Sequence, residues 1–97
     1  MALVIRPQST HPIDWCSWVE PKNGTDFKLD EIQPIVDGLM ELIHLDGNVM
    51  LVVNEEGKLY NLPVNELATE IAYKHDALIP GDVVRGTVLF CMEDQVR

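Results

Sequence analysis

The chain has 97 residues, of which 46% are hydrophobic and 24% are charged, and these values indicate one globular domain over residues 1–97. Its formal net charge is −9, with eight acidic residues in positions 1–50 and eight in positions 51–97. Such a surface repels phosphate groups, and the seven Lys and Arg residues form no cluster, so we expect no direct binding to nucleic acid.

The N-terminal part of the chain predicts two short strands. Residues Ala2–Arg6 form an apolar run that ends before a proline, which is typical of a buried strand. Residues Trp15–Glu20 alternate in the manner of a strand, so that Trp15 and Trp18 lie on opposite faces. One tryptophan is thus available for the core and the other for a partner.

The next segment has helical spacing, but it contains both Pro34 and Gly38. A proline inside a helix costs about 3 kcal/mol and a glycine about 1 kcal/mol, so one long helix is disfavoured. We predict a short helix over Leu29–Asp37 that Gly38 closes. A hairpin follows, in which Leu39–Leu45 pairs with Asn48–Val53 through an Asp-Gly turn.

The C-terminal half predicts a tight turn, a capped helix and a central strand. The turn lies at Glu55–Gly57, where Gly57 is expected to have a positive φ. Asn65 is placed to cap a helix. Residues Val83–Met92 are apolar on both faces, as in a central strand, and Gly86 indicates a bulge or a close approach. The apolar stripe of the helix consists of Val64, Leu67, Ala68, Ile71, Ala72 and His75.

This order of elements predicts the α+β class. We expect a single, mostly antiparallel sheet of about five strands, with two helices packed on one face.

Several motifs resemble a family of small uncharacterised domains found in bacteriophages and other mobile elements. The matching pieces include VIRP at Val4–Pro7, NEEGKL at Asn54–Leu59, LPVN at Leu62–Asn65 and the run Asp82–Cys91. Asp37 is a departure, since the family usually has glycine there. The resemblance implies a viral or mobile-element accessory protein and supplies no catalytic residues.

Catalysis, cofactors and a membrane location are not expected. The sequence has no GxSxG or Cys-His grouping, its glycines form no phosphate-binding loop, and no metal-ligand spacing appears. No apolar stretch reaches the about 20 residues that a membrane-spanning helix needs. Cys16 and Cys91 form no disulfide framework, so we expect the protein to lie in a reducing cytoplasm, which is that of the host if the protein is viral. We expect both thiols to fill space in the core as small apolar groups.

Binding is the favoured activity, because polar residues concentrate at the bends between residues 52 and 69. The first hypothesis is capture of a small nucleotide-like signal of host antiviral defence, with aromatic rings stacking on a base. The structural alternative is that Asn65 only caps, Asn54 bonds the turn backbone and Lys58 is solvated. The candidate ligand-binding residues are Asn54, Glu55, Lys58, Tyr60, Asn65, Thr69, Trp15 and Trp18.

Two other functions stay open. In one, the acidic surface imitates DNA and blocks a host protein. In the other, the protein is an accessory factor with a structural role. Because a small domain has little room for a pocket of about 300 Å³ or more, we also predict a homodimer or larger assembly with the site at the subunit boundary.

Overall fold

The structure is a computed structural model that describes residues 2–8 and 15–96. It has one antiparallel five-stranded sheet, in the order β2-β1-β5-β4-β3, and two α-helices, which confirms the α+β class. A short 3₁₀ turn, Glu93–Gln95, follows the last strand. In chain order the elements are β1 Ala2–Ile5, β2 Cys16–Val19, α1 Leu29–Val36, β3 Met40–His44, β4 Val49–Asn54, α2 Glu66–Lys74 and β5 Val88–Met92.

The last strand, β5, is central, as its apolar sequence predicts. It pairs with β1 and with β4, so that Leu3 and Leu51 both lie opposite Phe90. The strand begins later than predicted, at Val88, because Gly86 turns the chain just before it with a φ of 83°. A Cβ atom at Gly86 would lie 2.9 Å from Leu62 Cδ1, which confirms the predicted close approach.

The two helices lie on opposite faces of the sheet, so the prediction that both pack on one face is wrong. Met50 and Val52 of β4 belong to the core cluster that contains residues of α1. Leu51 and Val53, which alternate with them, belong to the cluster that contains residues of α2. The physical reason is that β4 and β5 are apolar on both faces, and each face needs its own cover. We call these faces the α1 face and the α2 face.

Helix α1 is short, as predicted, and its ends are fixed by polar contacts. The Glu31 side chain accepts a hydrogen bond from the backbone N–H of Lys28 at 2.8 Å, which satisfies a donor at the helix start. At the other end Asp37 takes the left-handed conformation, with a φ of 64°, and the N–H of Gly38 bonds the Gln33 carbonyl at 3.1 Å. The left-handed residue is therefore Asp37, one residue before the glycine that was predicted to close the helix.

Gly57 has no positive φ, so that prediction is wrong. Glycine is needed there for space, because a Cβ atom would lie 3.3 Å from both Cβ and the carbonyl oxygen of Arg85. The hairpin between β3 and β4 is confirmed, and its turn places Gly47 and Asn48 at φ values of 76° and 62°. Residues 55–61 thus fold back closely against the segment that leads into β5.

Candidate functional site

An open cleft of about 310 Å³ lies on the α2 face, beside the edge strand β3. Ile43, Val53 and Leu78 supply apolar surface to it, and residues from the loops 55–61 and 77–82 contribute to its sides. The polar and charged residues that line it are Glu41, Asn54, Glu55, Lys58, Asp82 and Arg85.

The two cations of the cleft are already engaged by the protein itself. Lys58 forms an ion pair with Asp82, and this bond, with the N–H of Val83, holds the pKa of the Asp82 carboxyl below its ordinary value of 3.8. Arg85 donates from Nη1 to the Leu62 carbonyl at 3.0 Å. The other two carboxylates are exposed and have no ion pair among the described residues; they belong to Glu41 and Glu55. The cleft thus carries three carboxylates and two cations, and the two carboxylates without an ion pair can each receive a positively charged group.

Asn65 is fully buried, and its amide group joins three parts of the chain. Its Oδ1 accepts from the Ala68 N–H at 3.1 Å, which is the predicted helix cap. Its Nδ2 donates to the carbonyls of Ile5 and Gly86 at 3.0 and 2.9 Å. The cap is thus also a bridge between β1, α2 and the entry to β5, and the side chain is turned away from solvent.

Asn54 and Thr69 are also engaged by backbone groups. Asn54 is among the residues that line the cleft, but its side-chain amide is directed to the end of α1, where Nδ2 donates to the carbonyls of Val36 and Asp37 at 2.9 and 3.1 Å. Thr69 Oγ1 donates to the Asn65 carbonyl at 2.7 Å and accepts from the Val84 N–H at 2.9 Å. The turn contact that the structural alternative predicts for Asn54 is also present, since its Oδ1 accepts from the Glu56 N–H at 2.7 Å, whereas Asn65 both caps α2 and bonds two further carbonyls.

The structure separates the aromatic candidates. Tyr60 is 64% exposed and lies on the loop next to Lys58, close to the cleft. Trp18 is 66% exposed on β2, and Trp15 is half-buried just before that strand. Because β2 and β3 are opposite edges of the sheet, neither tryptophan shares the cleft. Of the predicted ligand residues, the structure brings together Asn54, Glu55 and Lys58, with Tyr60 on the same loop.

The family model described as Domain of unknown function (DUF3846) matches residues 1–96. The chain belongs to the DUF3846 family. No curated protein and no solved structure matches it. The resemblance to a domain of unknown function is thereby confirmed, and the family description assigns no activity.

Sequence reasoning missed three cleft residues of this DUF3846 domain, namely Glu41, Asp82 and Arg85. Arg85 had a detectable signal, since it is the one charge within the apolar run Val83–Met92. Glu41 and Asp82 come from distant segments, and only the fold brings them to the same cleft as Glu55.

The two cysteines differ in environment. Cys91 is buried, as predicted, and burial together with the charge of Asp94 raises the pKa of its thiol to about 11. Cys16 is exposed on the edge strand β2, so its prediction as an apolar filler is wrong. Among residues 2–8 and 15–96, no three His, Cys, Asp or Glu side chains form a group that could hold a metal ion. Within the same residues, no helix has the length and apolar character needed to cross a membrane.

Proposed function

We propose that this DUF3846 protein is a non-enzymatic binding protein whose acidic surface covers a positively charged surface of another protein. The resemblance to phage and mobile-element domains supports an accessory role against a host protein in the host cytoplasm. The alternative of an acidic inhibitor is thus preferred to capture of a nucleotide-like signal.

The observation that carries this proposal is the unequal use of positive and negative side chains. Arg6 Nη2 donates to Ser17 Oγ at 3.0 Å, Lys28 pairs with Asp26 at 3.3 Å, and Lys58 and Arg85 are engaged in the cleft. Two cations, Lys22 and Lys74, are exposed and have no ion pair within the described part of the chain, whereas eight carboxylates are in that state. The eight carboxylates belong to Asp30, Asp37, Glu41, Glu55, Glu66, Glu70, Asp76 and Asp94. A surface left with unbalanced negative charge favours and steers a basic partner.

The test is a binding measurement with purified basic proteins, some of which bind DNA and some of which do not. We expect saturable binding to one or a few of them, weakening as salt screens the charges. Absence of binding contradicts the proposal. Binding that simply follows the net charge of every protein tested also contradicts it, because a specific partner requires shape as well as charge.

Capture of a small nucleotide-like signal is the second candidate, since Lys58 and Arg85 both line a cleft of about 310 Å³. That volume falls at the lower end of ligand pockets. Two features oppose nucleotide binding: Lys58 is already paired with Asp82, and the Asn65 amide is directed into the protein interior. A nucleotide at about 100 times its dissociation constant should stabilise the protein by about 2.7 kcal/mol, which a thermal-shift panel measures. A flat panel removes this candidate.

The predicted homodimer is part of the proposal, but the single chain already has a cleft of about 310 Å³, so a subunit boundary is not needed to form the site. The surface that suits association is the β2 edge, at the opposite side of the sheet from the cleft. Trp18 and Cys16 are exposed there, away from the cleft. Light scattering at micromolar concentration measures the mass. A single-chain mass that does not change with salt contradicts the dimer.

A further inference from the structure

Strand β3 is an edge of the sheet, and its backbone has a defined pattern of inward and outward groups. Just beyond its two ends, the Leu45 N–H bonds the Val49 carbonyl at 2.8 Å, and the Glu55 N–H bonds the Leu39 carbonyl at 2.8 Å. In an antiparallel pair, hydrogen-bonded and non-hydrogen-bonded residues alternate. Glu41 and Ile43 therefore direct their backbone groups toward β4.

By the same alternation, Met40, Leu42 and His44 direct their N–H and carbonyl groups away from β4. No strand lies beyond them in the described part of the chain. Such a row of unpaired groups is a template for an added strand. It is only three residues long on the outward side, so side-chain contacts must contribute to any specific association.

The side chains next to this edge supply those contacts. Glu41 and Ile43 of β3 both line the cleft on the α2 face, so an added strand would place alternate side chains at its opening. Both loops that form the cleft carry large apolar side chains in solvent. Leu59 is 73% exposed, Tyr60 is 64% exposed and Ile79 is 76% exposed. Exposed apolar surface surrounded by polar groups is typical of a site of protein interaction.

We propose that β3 accepts an extended, basic segment of a partner protein as a sixth strand. The backbone of that segment pairs with the outward groups of Met40, Leu42 and His44. Its Lys or Arg side chains enter the cleft beside Glu41 and Glu55, and an apolar residue contacts the exposed side chains of the loops. This inference rests on the proposed function, because it names where the acidic protein holds its basic partner.

Charge complementarity selects this occupant over a second copy of the chain. Two copies joined edge to edge at β3 would bring the carboxylates of Glu41 and Glu55 from both chains into one region, and each chain has a net charge of −9. An acidic segment meets the same repulsion. A basic segment instead finds two carboxylates that have no ion pair.

The experiment measures fluorescence anisotropy of labelled synthetic peptides of about twelve residues, a length that covers an edge strand with its flanks. In one peptide, Lys or Arg and Leu or Phe follow each other at every second position, so that both kinds of side chain lie on one face of the strand, with Thr at the positions between them. A second peptide has the same charge with Ser in place of Leu and Phe. The key variant is Glu41→Gln with Glu55→Gln. Its matched control is Glu66→Gln with Glu70→Gln, which removes the same charge from exposed positions of α2 that do not line the cleft.

We expect the apolar basic peptide to bind more tightly than the Ser peptide, and the cleft variant to lose about fivefold or more in affinity. The α2 control should lose less than about twofold, since distant exposed charges are screened. Leu42→Pro removes an outward N–H without removing a bond to β4, and it should also weaken binding. Circular dichroism and melting of each variant verify that the fold is retained.

Three outcomes overturn the inference. Equal losses in the cleft variant and the α2 control would mean that the peptide does not bind at the cleft, which overturns the inference, and the proposed function then depends on its own test with basic proteins. Light scattering that shows a dimer broken by Leu42→Pro would make a second copy the occupant. Absence of binding by every basic peptide and every basic protein would remove both the inference and the proposed function.

Discussion

Polar groups are hydrogen-bonded within the protein at the buried residues Asn54 and Asn65, which we call the interior joints. At the open edge of β3 they are not. At the joints, each side-chain amide meets backbone donors and acceptors of other segments. At the edge, the outward backbone groups and the carboxylates of Glu41 and Glu55 have no protein partner within the described residues. Both regions are rich in polar residues, but only the second has groups left to offer to another molecule. A polar group therefore indicates a binding surface when it lacks a partner within the protein, and its position at a bend does not indicate one.

The largest effect is expected at Asn65. Loss of a helix cap alone costs about 1 kcal/mol, and two buried carbonyls deprived of a donor add about 1 kcal/mol each, so Asn65→Ala should lower the free energy of unfolding by about 3 kcal/mol. Asn65→Asp keeps the cap acceptor and removes the donor, and it should still be strongly destabilising. Urea unfolding measures both, with exposed Glu66→Ala as the control. If Asn65→Ala lowers the free energy of unfolding by only about 1 kcal/mol and Asn65→Asp does not change it, then Asn65 acts only as a helix cap.

Gly57→Val is expected to have the next largest effect, since Gly57 holds the cleft loop close to Arg85. A Cβ atom at 3.3 Å from Arg85 is already tight, and a branched side chain should cost about 2 kcal/mol by overpacking. Because φ at Gly57 is not positive, Gly57→Ala should cost much less than Gly57→Val. Thermal melting of both variants measures which of them loses more stability. Equal and large losses would mean that the Cβ contact with Arg85, which both variants make, already accounts for the cost.

Asp37→Gly should stabilise the protein by about 1 kcal/mol, because a non-glycine residue in the left-handed conformation is strained there. The Asp37 side chain is exposed, and its backbone carbonyl keeps its bond from Asn54 in the variant. Urea unfolding measures the gain. Asp30→Gly, in the exposed first turn of α1, is a control that should destabilise. A loss of stability in Asp37→Gly would show that the aspartate side chain does more than end the helix.

A smaller effect is expected from Glu31 and depends on pH. The backbone N–H groups of Lys28 and Lys22 hold the pKa of the Glu31 carboxyl below its ordinary value of 4.5. The unfolded chain therefore binds this proton more readily, so the contribution to stability is full above that value. It is lost as pH falls through the folded-state pKa. Glu31→Gln should flatten the decline in melting temperature below about pH 4.5 relative to the parent. Parallel curves for the two proteins would exclude this role.

Much of the fold was predictable from the sequence, and the predictions that were wrong have physical causes. Gly38 predicted the end of α1 to within one residue and Asn65 predicted the start of α2, because their backbone preferences act locally, and Pro34 is tolerated inside α1. The side of the sheet on which each helix packs is set by tertiary contacts. The apolar residues on both faces of β4 and β5 indicated that each face of the sheet needs a cover. The sequences of the helices do not indicate which face each helix covers.

The candidate site was less predictable. Asn54, Glu55 and Lys58 do meet at the cleft, since they are neighbours in sequence. Asp82 comes from a distant loop, and its contact with Lys58 depends on the whole fold. The open edge of β3 could not be recognised from sequence, because a hairpin strand has no signal that tells whether a further strand lies beside it.

Amide hydrogen exchange at β3 tests the binding account most directly, with the apolar basic peptide as the probe. In the free protein, the outward N–H groups of Leu42 and His44 should exchange quickly, and the inward ones of Glu41 and Ile43 slowly. On addition of the peptide, we predict that exchange slows at Leu42 and His44, with chemical-shift changes in the loops 55–61 and 77–82. Binding that leaves both outward amides exchanging quickly, with shifts spread over the acidic surface of α1 and α2, would contradict strand addition at this edge.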